Sequence, residues 1–399
     1  MEEWKEYRLG DICTELSDGL HKAPKFKFGG DYIFVNAKNI VDGYIVDNDP
    51  TKKSTYEEFL KYSSPLNDTT ILYSIDGTIG NVALYRGEKC ILGKGACYMN
   101  PNPNILDKMF LYYELQSPRF KAYINKMSTG STIKHISLRT MRDYCFTFPS
   151  IHTQRRISSI LKSLDDKIEL NRRINDNLEQ QAQALFKHWF VDFGPFKNGE
   201  FVESELGMIP KGWRVGKLGD IADLIKPSIK PEIGVMYNHY SIPAFDNNKI
   251  PSFDKGETIK SNKFAIQDSV IMLSKLNPDH KRIWYVDKIE TNAVCSTEFL
   301  PFYAKDREQS AFVYCYLNNR QIYKEIANGA RGTTNSHQRI DANAILSRDL
   351  AYNKDTISQF CNIVGPILKQ QNHTIQESRR LATLRDTLLP KLMSGQIKL

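Results

Sequence analysis

The chain has 399 residues, 41% hydrophobic and 25% charged, with a formal net charge of +8. That balance describes a folded chain of two or three domains, excludes a disordered polyelectrolyte, and permits a polyanionic partner without requiring one. No apolar run approaches the ~18 residues of a membrane span and MEEWKEYRLGDI has no signal-peptide profile, so a cytoplasmic protein without membrane contact is expected.

Residues 1–150 read as a mixed α and β domain. Ile71-Leu72-Tyr73 and Val82-Ala83-Leu84-Tyr85 flank Asp76-Gly77-Thr78-Ile79-Gly80, a strand, turn, strand signature. Aromatic residues at spacings of three and four predict a helix over 108–127.

Residues 151–193 form the longest predicted element. Ile157, Leu161, Leu164, Ile168, Asn171, Asn175, Leu178, Ala182, Leu185 and Trp189 alternate spacings of four and three, the seam of a helix packed lengthwise on another. No proline or glycine interrupts it before Gly194 and Pro195. A helix of about 38 residues would run roughly 57 Å, and an element that long needs a partner.

Residues 194–212, holding Pro195, Gly199, Gly207, Pro210 and Gly212, read as a turn and linker. A second mixed domain follows over 213–355, with strands predicted at 270–273 and 283–286 around Asn277-Pro278-Asp279 and a helix over 307–327. Over 356–399 the seam returns as Ile363, Ile367, Gln370, Thr374, Glu377, Leu381, Leu384 and Leu388. Both seams are apolar at the ends and polar in the middle, a pattern that fixes register at some cost in stability. The two segments are predicted to be long antiparallel helices forming a strut.

The halves repeat one another. Trp4, Leu9, Gly10, Asp11 and Ile12 return as Trp213, Leu218, Gly219, Asp220 and Ile221; Asp68, Ile71, Ser74 and Tyr85 return as Asp268, Ile271, Ser274 and Tyr285. Phe110, Tyr112, Leu115, Gly130, Thr132 and His135 match Phe312, Tyr314, Leu317, Gly332, Thr334 and His337 at one constant offset. The expected fold class is therefore α+β: two similar mixed domains with small twisted sheets, separated by two long antiparallel coiled-coil helices, in a pseudo-twofold internal repeat.

Enzymatic constellations are not found. Gly93-Lys94 and Gly216-Lys217 lack the upstream glycine of a phosphate-cradling loop, the histidines form no H-x-x-x-H pair, and the carboxylates do not cluster at metal-ligand spacing. Asn100-Pro101-Asn102-Pro103 reads as a turn. The seven scattered cysteines offer no C-x-x-C pair, so neither disulfide nor zinc is expected and they read as buried small hydrophobes.

Donors suited to DNA do concentrate in loops, where guanidinium, ammonium, amide and hydroxyl groups can meet phosphates or base edges and glycine lets the backbone approach. The candidates at 128–135 are Ser131, Thr132, Lys134 and His135; at 329–339 they are Arg331, Thr333, Thr334, Asn335, His337 and Arg339. His21, Lys22, Lys25, Lys38 and Asn39 form a further group, answered in the other half by Ser274, Lys275, Asn277 and Arg282. The alternative for the polar loops is a turn capping the next helix through Ser137 and Asp341. A lysine run can equally be a solvated face.

Nearly the whole chain resembles the specificity subunits of type I restriction-modification systems. The resemblance is carried by Leu164-Asp165-Asp166-Lys167-Ile168-Glu169-Leu170-Asn171 with Ala184-Leu185-Phe186-Lys187-His188-Trp189-Phe190-Val191-Asp192-Phe193, by Gly207-Met208-Ile209-Pro210-Lys211-Gly212-Trp213, and by Leu384-Arg385-Asp386-Thr387-Leu388-Leu389-Pro390-Lys391-Leu392-Met393-Ser394-Gly395. It implies a non-catalytic subunit whose two target-recognition domains each read half of a split site in double-stranded DNA, with two helices setting the gap. It further implies two methyltransferase subunits carrying S-adenosylmethionine and ATP-dependent motor-nuclease subunits, with no cofactor in this chain. A competing class is a coiled-coil interaction scaffold with two copies of a peptide-binding domain; the steep salt dependence of phosphate contacts separates the two.

Overall fold

The computed structural model describes residues 4–129, 134–330 and 338–399. It divides into two compact units, one made of the residues up to Lys167 together with Leu381–Leu399, the other of Ile168–Arg380.

In the first unit Lys5–Arg8 pairs antiparallel with Cys145–Phe148, the strand that leads into the long helix. A four-stranded antiparallel sheet has the spatial order Cys13–Asp18, Ala96–Pro101, Ile71–Ser74, Val82–Leu84. A three-stranded sheet holds Tyr32–Val35 between Lys53–Ser54 and Cys90–Leu92, the latter pair parallel. Ile71–Ser74, Cys90–Leu92 and Ala96–Pro101 are buried along their whole length, which explains their continuous apolar runs rather than strict alternation.

The second unit repeats this plan. Arg214–Lys217 pairs with Asp349–Tyr352. Ala222–Leu224, Phe299–Ala304, Val270–Ser274 and Ile283–Val286 make the four-stranded antiparallel sheet. Met236–Tyr240 again runs parallel to its neighbour, here Ala293–Ser296, with Ser252–Lys255 on its other side. Lys263–Ala265 and Ser228–Ile229 extend this second sheet beyond Ala293–Ser296. The sequence repeat is thus a repeat of topology, and both expected hairpins are present.

Four local expectations need correction. The helix expected over 108–127 is two, Lys108–Glu114 and Pro118–Met127, because Ser117 caps the second by accepting the Phe120 N–H and Pro118 occupies its first turn. Likewise 307–327 divides into Ser310–Asn318 and Arg320–Asn328, with Asn319 accepting the Gln321 and Ile322 N–H groups. The segment 194–212 is no bare linker: it carries an antiparallel hairpin, Phe201–Ser204 with Gly207–Pro210. Asn100 and Pro101 lie in a strand and not a turn, the Asn100 amide donating to Pro65 O at 2.8 Å.

The first long helix, Ile151–Phe186, has 36 residues and ends in a π turn at Lys187–Val191; the second, Lys354–Met393, has 40. In the first unit Ile157 and Leu161 are buried with Leu389, Leu392 and Met393. Just beyond, Arg385 Nη1 and Tyr113 Oη each donate to the Asp165 carboxylate at 2.7 Å. In the second unit Ala182 and Phe186 join Phe312, Phe360, Val364 and Leu368, and Leu185, Trp189 and Ile367 pack against that core. Truncating Phe186 to alanine would cost about 3–5 kcal/mol by the rule for buried aromatic rings.

Between these apolar contacts the second unit is polar, as expected from the seams. Asn171 Nδ2 donates to Ser378 Oγ at 3.2 Å and to Glu377 Oε2 at 2.8 Å; Thr374 Oγ1 donates to Asn175 Oδ1, and Gln371 Nε2 donates to Glu179 Oε2 at 3.3 Å. Rising numbers on one helix meet falling numbers on the other, so they run antiparallel there. Glu179 also accepts from Tyr314 and Asn318, tying the globular part of this unit to the helix.

Ile168, Leu164, Leu178, Leu381 and Leu388 are half-buried, whereas Leu384, expected in the seam, is 46% exposed. Its neighbour Arg385 turns inward to Asp165 instead. Ile363 is exposed too, and Val364 and Leu368 take the buried positions. The cysteines are free; five are buried, Cys13 is half-buried with its thiol pushed up to about 12 by burial, and Cys145 is exposed, against the expectation for it.

Candidate nucleic-acid interface

The four-stranded sheet of each unit ends in a hairpin loop, and that loop collects the candidate residues. In the first unit Ile75 N–H donates to Gly95 O at 3.1 Å and Ile136 N–H donates to Ile75 O at 3.0 Å, so the hairpin tip lies between the Lys94 loop and the Lys134-His135 segment. Asp76 sits at the tip, bonded to His135 Nδ1 and 3.9 Å from Lys94 Nζ. Gly77 N–H donates to Lys134 O at 3.2 Å. The Lys94 loop is in turn laced to the segment before His21 by Leu20 N–H to Leu92 O at 2.7 Å and Lys94 N–H to Leu20 O at 2.9 Å. This approach is close enough that a Cβ on Gly19 would fall on the Leu92 backbone.

His21, Lys22, Lys94, Lys134 and His135 therefore share one connected set of loops. Lys22 and Lys134 are exposed, and His21 is 3.3 Å from Asp18 Oδ2. A row of exposed cations on backbone fixed by hydrogen bonds is suited to phosphate oxygens, which position a protein on a duplex without reading sequence.

The second unit builds the same junction. Lys275 N–H donates to Glu298 O at 2.9 Å and Ile340 N–H donates to Lys275 O at 3.0 Å, the counterparts of the Ile75 bonds. Arg339 lies alongside Leu276, its Nη1 3.1 Å from Glu298 Oε2. Asn277 turns the tip with φ of +52°, a conformation asparagine tolerates better than most residues.

Other candidates are consumed inside the protein. Asn39 is 3% exposed; its Oδ1 accepts the Asn36 N–H at 3.0 Å and its Nδ2 donates to Val46 O at 3.0 Å and Asn48 Oδ1 at 2.8 Å. Ser274 is 1% exposed and its hydroxyl bonds with the Leu276 backbone. Arg282 is mostly buried in a bidentate pair with Asp246 at 2.7 and 2.9 Å. These three hold loops in shape, a correction to their expected role. Lys38 is exposed, 3.8 Å from Asp49, and Lys25 is exposed. Ser131, Thr132, Arg331, Thr333, Thr334, Asn335 and His337 lie outside the described residues.

Ser137 and Asp341 do cap the helices that follow, accepting the Thr140 and Asn343 N–H groups. Sequence reading missed Lys94 and the acidic partners Asp76 and Glu298. Only the placement of Asp76 and Glu298 in the hairpin junctions reveals them. Among the described residues no cluster of three metal-ligating side chains occurs, and no helix is long and apolar enough to cross a membrane.

In both units cations gather on loops at the sheet hairpin, an arrangement suited to DNA phosphates, and comparison with known proteins shows what the chain is similar to. Residues 1–180 match the family described as type I restriction modification DNA specificity domain. The MjaIX type I specificity subunit of Methanocaldococcus jannaschii is 28% identical, covering 99% of this chain and 94% of its own. The HindI specificity subunit of Haemophilus influenzae is 25% identical over the full length of both. A type I S subunit from M. genitalium shares the fold at a TM-score of 0.57 and 18% identity, covering 98% of this chain and 96% of that one. Over its full length the chain is similar to the specificity subunits of type I restriction-modification systems. It is the sequence-specific DNA-recognition component of such a system, non-catalytic itself, and works with other subunits and DNA.

Proposed function

We infer that the chain reads an asymmetric, two-part duplex target. Residues 1–150 take one half-site and 213–355 the other, while the helices over 151–193 and 356–399, joined through 194–212, set the interval. The observation that carries this reading is the repeated strand order with unlike loops: Asp76, Lys94 and His135 in one unit are answered at the equivalent junction by Lys275, Glu298 and Arg339 in the other. One scaffold carrying two different sets of side chains is what two different half-sites require.

The helix lengths support the interval. A 36-residue helix extends about 54 Å, and half-sites one turn apart lie about 34 Å from each other, so a continuous helix of this size can serve as a ruler. Lys22, Lys25, Lys38, Lys134 and His21 with His135 are the contacts of the first domain, and Lys275, Asn277 and Arg339 those of the second. Two methyltransferase subunits bearing S-adenosylmethionine modify adenines at the site, and motor-nuclease subunits using ATP join for restriction. Mapping methylated adenines in host cells with and without this gene tests the reading. Loss of one two-part motif with a fixed unread gap is expected; an unchanged adenine methylation pattern contradicts it.

A further inference from the structure

Among the described residues, each unit has an apolar side chain standing almost wholly in solvent at a matching place. Phe28 is 82% exposed and Ile233 is 86% exposed. Each occupies the second position of a four-residue turn closed by a backbone hydrogen bond, Gly30 N–H to Lys27 O at 3.0 Å in one and Val235 N–H to Glu232 O at 3.3 Å in the other. Each is followed by a glycine in the left-handed region, Gly29 at φ +74° and Gly234 at φ +81°, as a type II turn demands at its third position. Each turn leads into the strand that makes the parallel pair, Tyr32–Val35 or Met236–Tyr240.

These turns are held from behind and open in front. Lys27 N–H donates to Lys53 O at 2.7 Å, and Glu232 N–H donates to Tyr237 Oη at 3.1 Å. A Cβ added to Gly29 or Gly234 would meet nothing within 4 Å, so both tips stand clear of the protein. Exposed Lys22, Lys25 and Lys27 precede the first tip in the chain, while Glu58 is engaged by the Lys25 N–H at 2.9 Å. Exposed Lys226 and Lys230 precede the second, where Glu257 accepts the Gly234 N–H at 3.3 Å.

Leaving an aromatic and a branched aliphatic side chain in water is unfavourable, and the same exposure in both repeats, beside lysines, calls for a shared use. Apolar side chains on cation-flanked tips enter DNA between base pairs, where they unstack a step and bend the duplex. We propose that Phe28 and Ile233 are wedges that enter the target duplex beside the two half-sites, so that each domain also selects sequence by the ease of deforming one step. This rests on the two-part DNA reading above. The wedge carries specificity without hydrogen bonds, and the lysines anchor the phosphates on either side.

The test uses the full chain assembled with its methyltransferase subunits and a duplex bearing the mapped target. 2-Aminopurine replaces single bases in turn, leaving aside the methylated adenines, which the methyltransferase itself extrudes. A rise in fluorescence is expected at one step beside each half-site. Phe28→Ala removes the rise beside the first and weakens binding by about tenfold or more; Ile233→Ala does so beside the second. Phe28→Leu keeps the rise, and Lys27→Ala weakens binding but also keeps it. Wild-type binding with no rise at any step, or a Phe28→Ala complex that matches wild type, overturns the wedge and leaves the DNA reading standing. Failure of the wild-type complex to bind the duplex overturns the DNA reading itself. A Phe28→Ala chain that no longer co-elutes with the methyltransferase subunits makes the tip a protein-docking point and overturns the wedge as well.

Discussion

Asn171, fully buried on the first long helix, donates its amide to Glu377 Oε2 of the second at 2.8 Å. A buried polar pair at the polar centre of the seam stabilises less than leucine does, but it penalises every other alignment of the helices. Asn171→Ala is expected to lower the unfolding free energy of the chain by about 1–3 kcal/mol, since a half-buried carboxylate loses a donor. Glu377→Gln, which keeps an acceptor oxygen, should cost less. Chemical denaturation checks both, and equal stability of Asn171→Ala and wild type would show that the pair contributes nothing.

Lys22, Lys134 and Lys275 separate from Asn39, Ser274 and Arg282 by what their substitution changes. Alanine at any of the three lysines should weaken DNA binding across sequences and reduce the slope of log affinity against log salt by about 1. Arg282→Ala should leave that slope unchanged and destabilise the second unit, because Asp246 loses both of its short guanidinium bonds. A salt titration with thermal melts of each variant distinguishes the two groups; a reduced slope for Arg282→Ala would return it to the interface.

His239 offers a pH dependence. Burial holds its imidazole below the ordinary histidine value of 6.5, against the opposing pull of Asp254 at 2.9 Å, and Nε2 has no partner. The unfolded chain therefore binds the proton more readily than the folded one. The stability this site contributes is complete above about 6.5 and is lost as pH falls through the folded-state value. Thermal midpoints should drop on acidification below that point, and less steeply in His239→Gln. An identical pH profile for the variant would remove His239 as the cause.

Much of the architecture was legible because it depends on spacing. The seam residues Leu161, Asn171 and Ala182 recur along one helix face, and Leu9-Gly10-Asp11-Ile12 returns as Leu218-Gly219-Asp220-Ile221, so long helices and duplication follow from position alone. The breaks at Ser117-Pro118 and Asn319 had local cap signals that aromatic periodicity masked. The second seam drifted from its predicted face because a helix with 3.6 residues per turn slips about 20° for every seven residues, and Arg385 claimed the inward position for Asp165. Individual DNA contacts were least legible. Asn39 and Ser274 look like available donors until the Val46 and Leu276 backbones arrive beside them, contacts that donor chemistry in a single loop does not announce. Phe28 carried a usable signal, an aromatic residue followed by two glycines and preceded by lysine, repeated loosely at Ile233.

The ruler can be lengthened. Four residues inserted after Asn171 and four opposite, after Ser378, add about one turn to each helix and preserve the facing surfaces. The methylated motif should keep both half-sites and gain a longer unread gap. An unchanged gap would mean that the helices do not set it.

Division of labour between the two domains is the central claim, and exchanging residues 1–150 for those of a relative with a different target tests it most directly. Methylated adenines mapped in cells carrying the exchanged chain should show one half-site replaced, with the other half-site and the gap unaltered. Replacement of both half-sites together, or of neither in a chain that still directs methylation, would contradict the account.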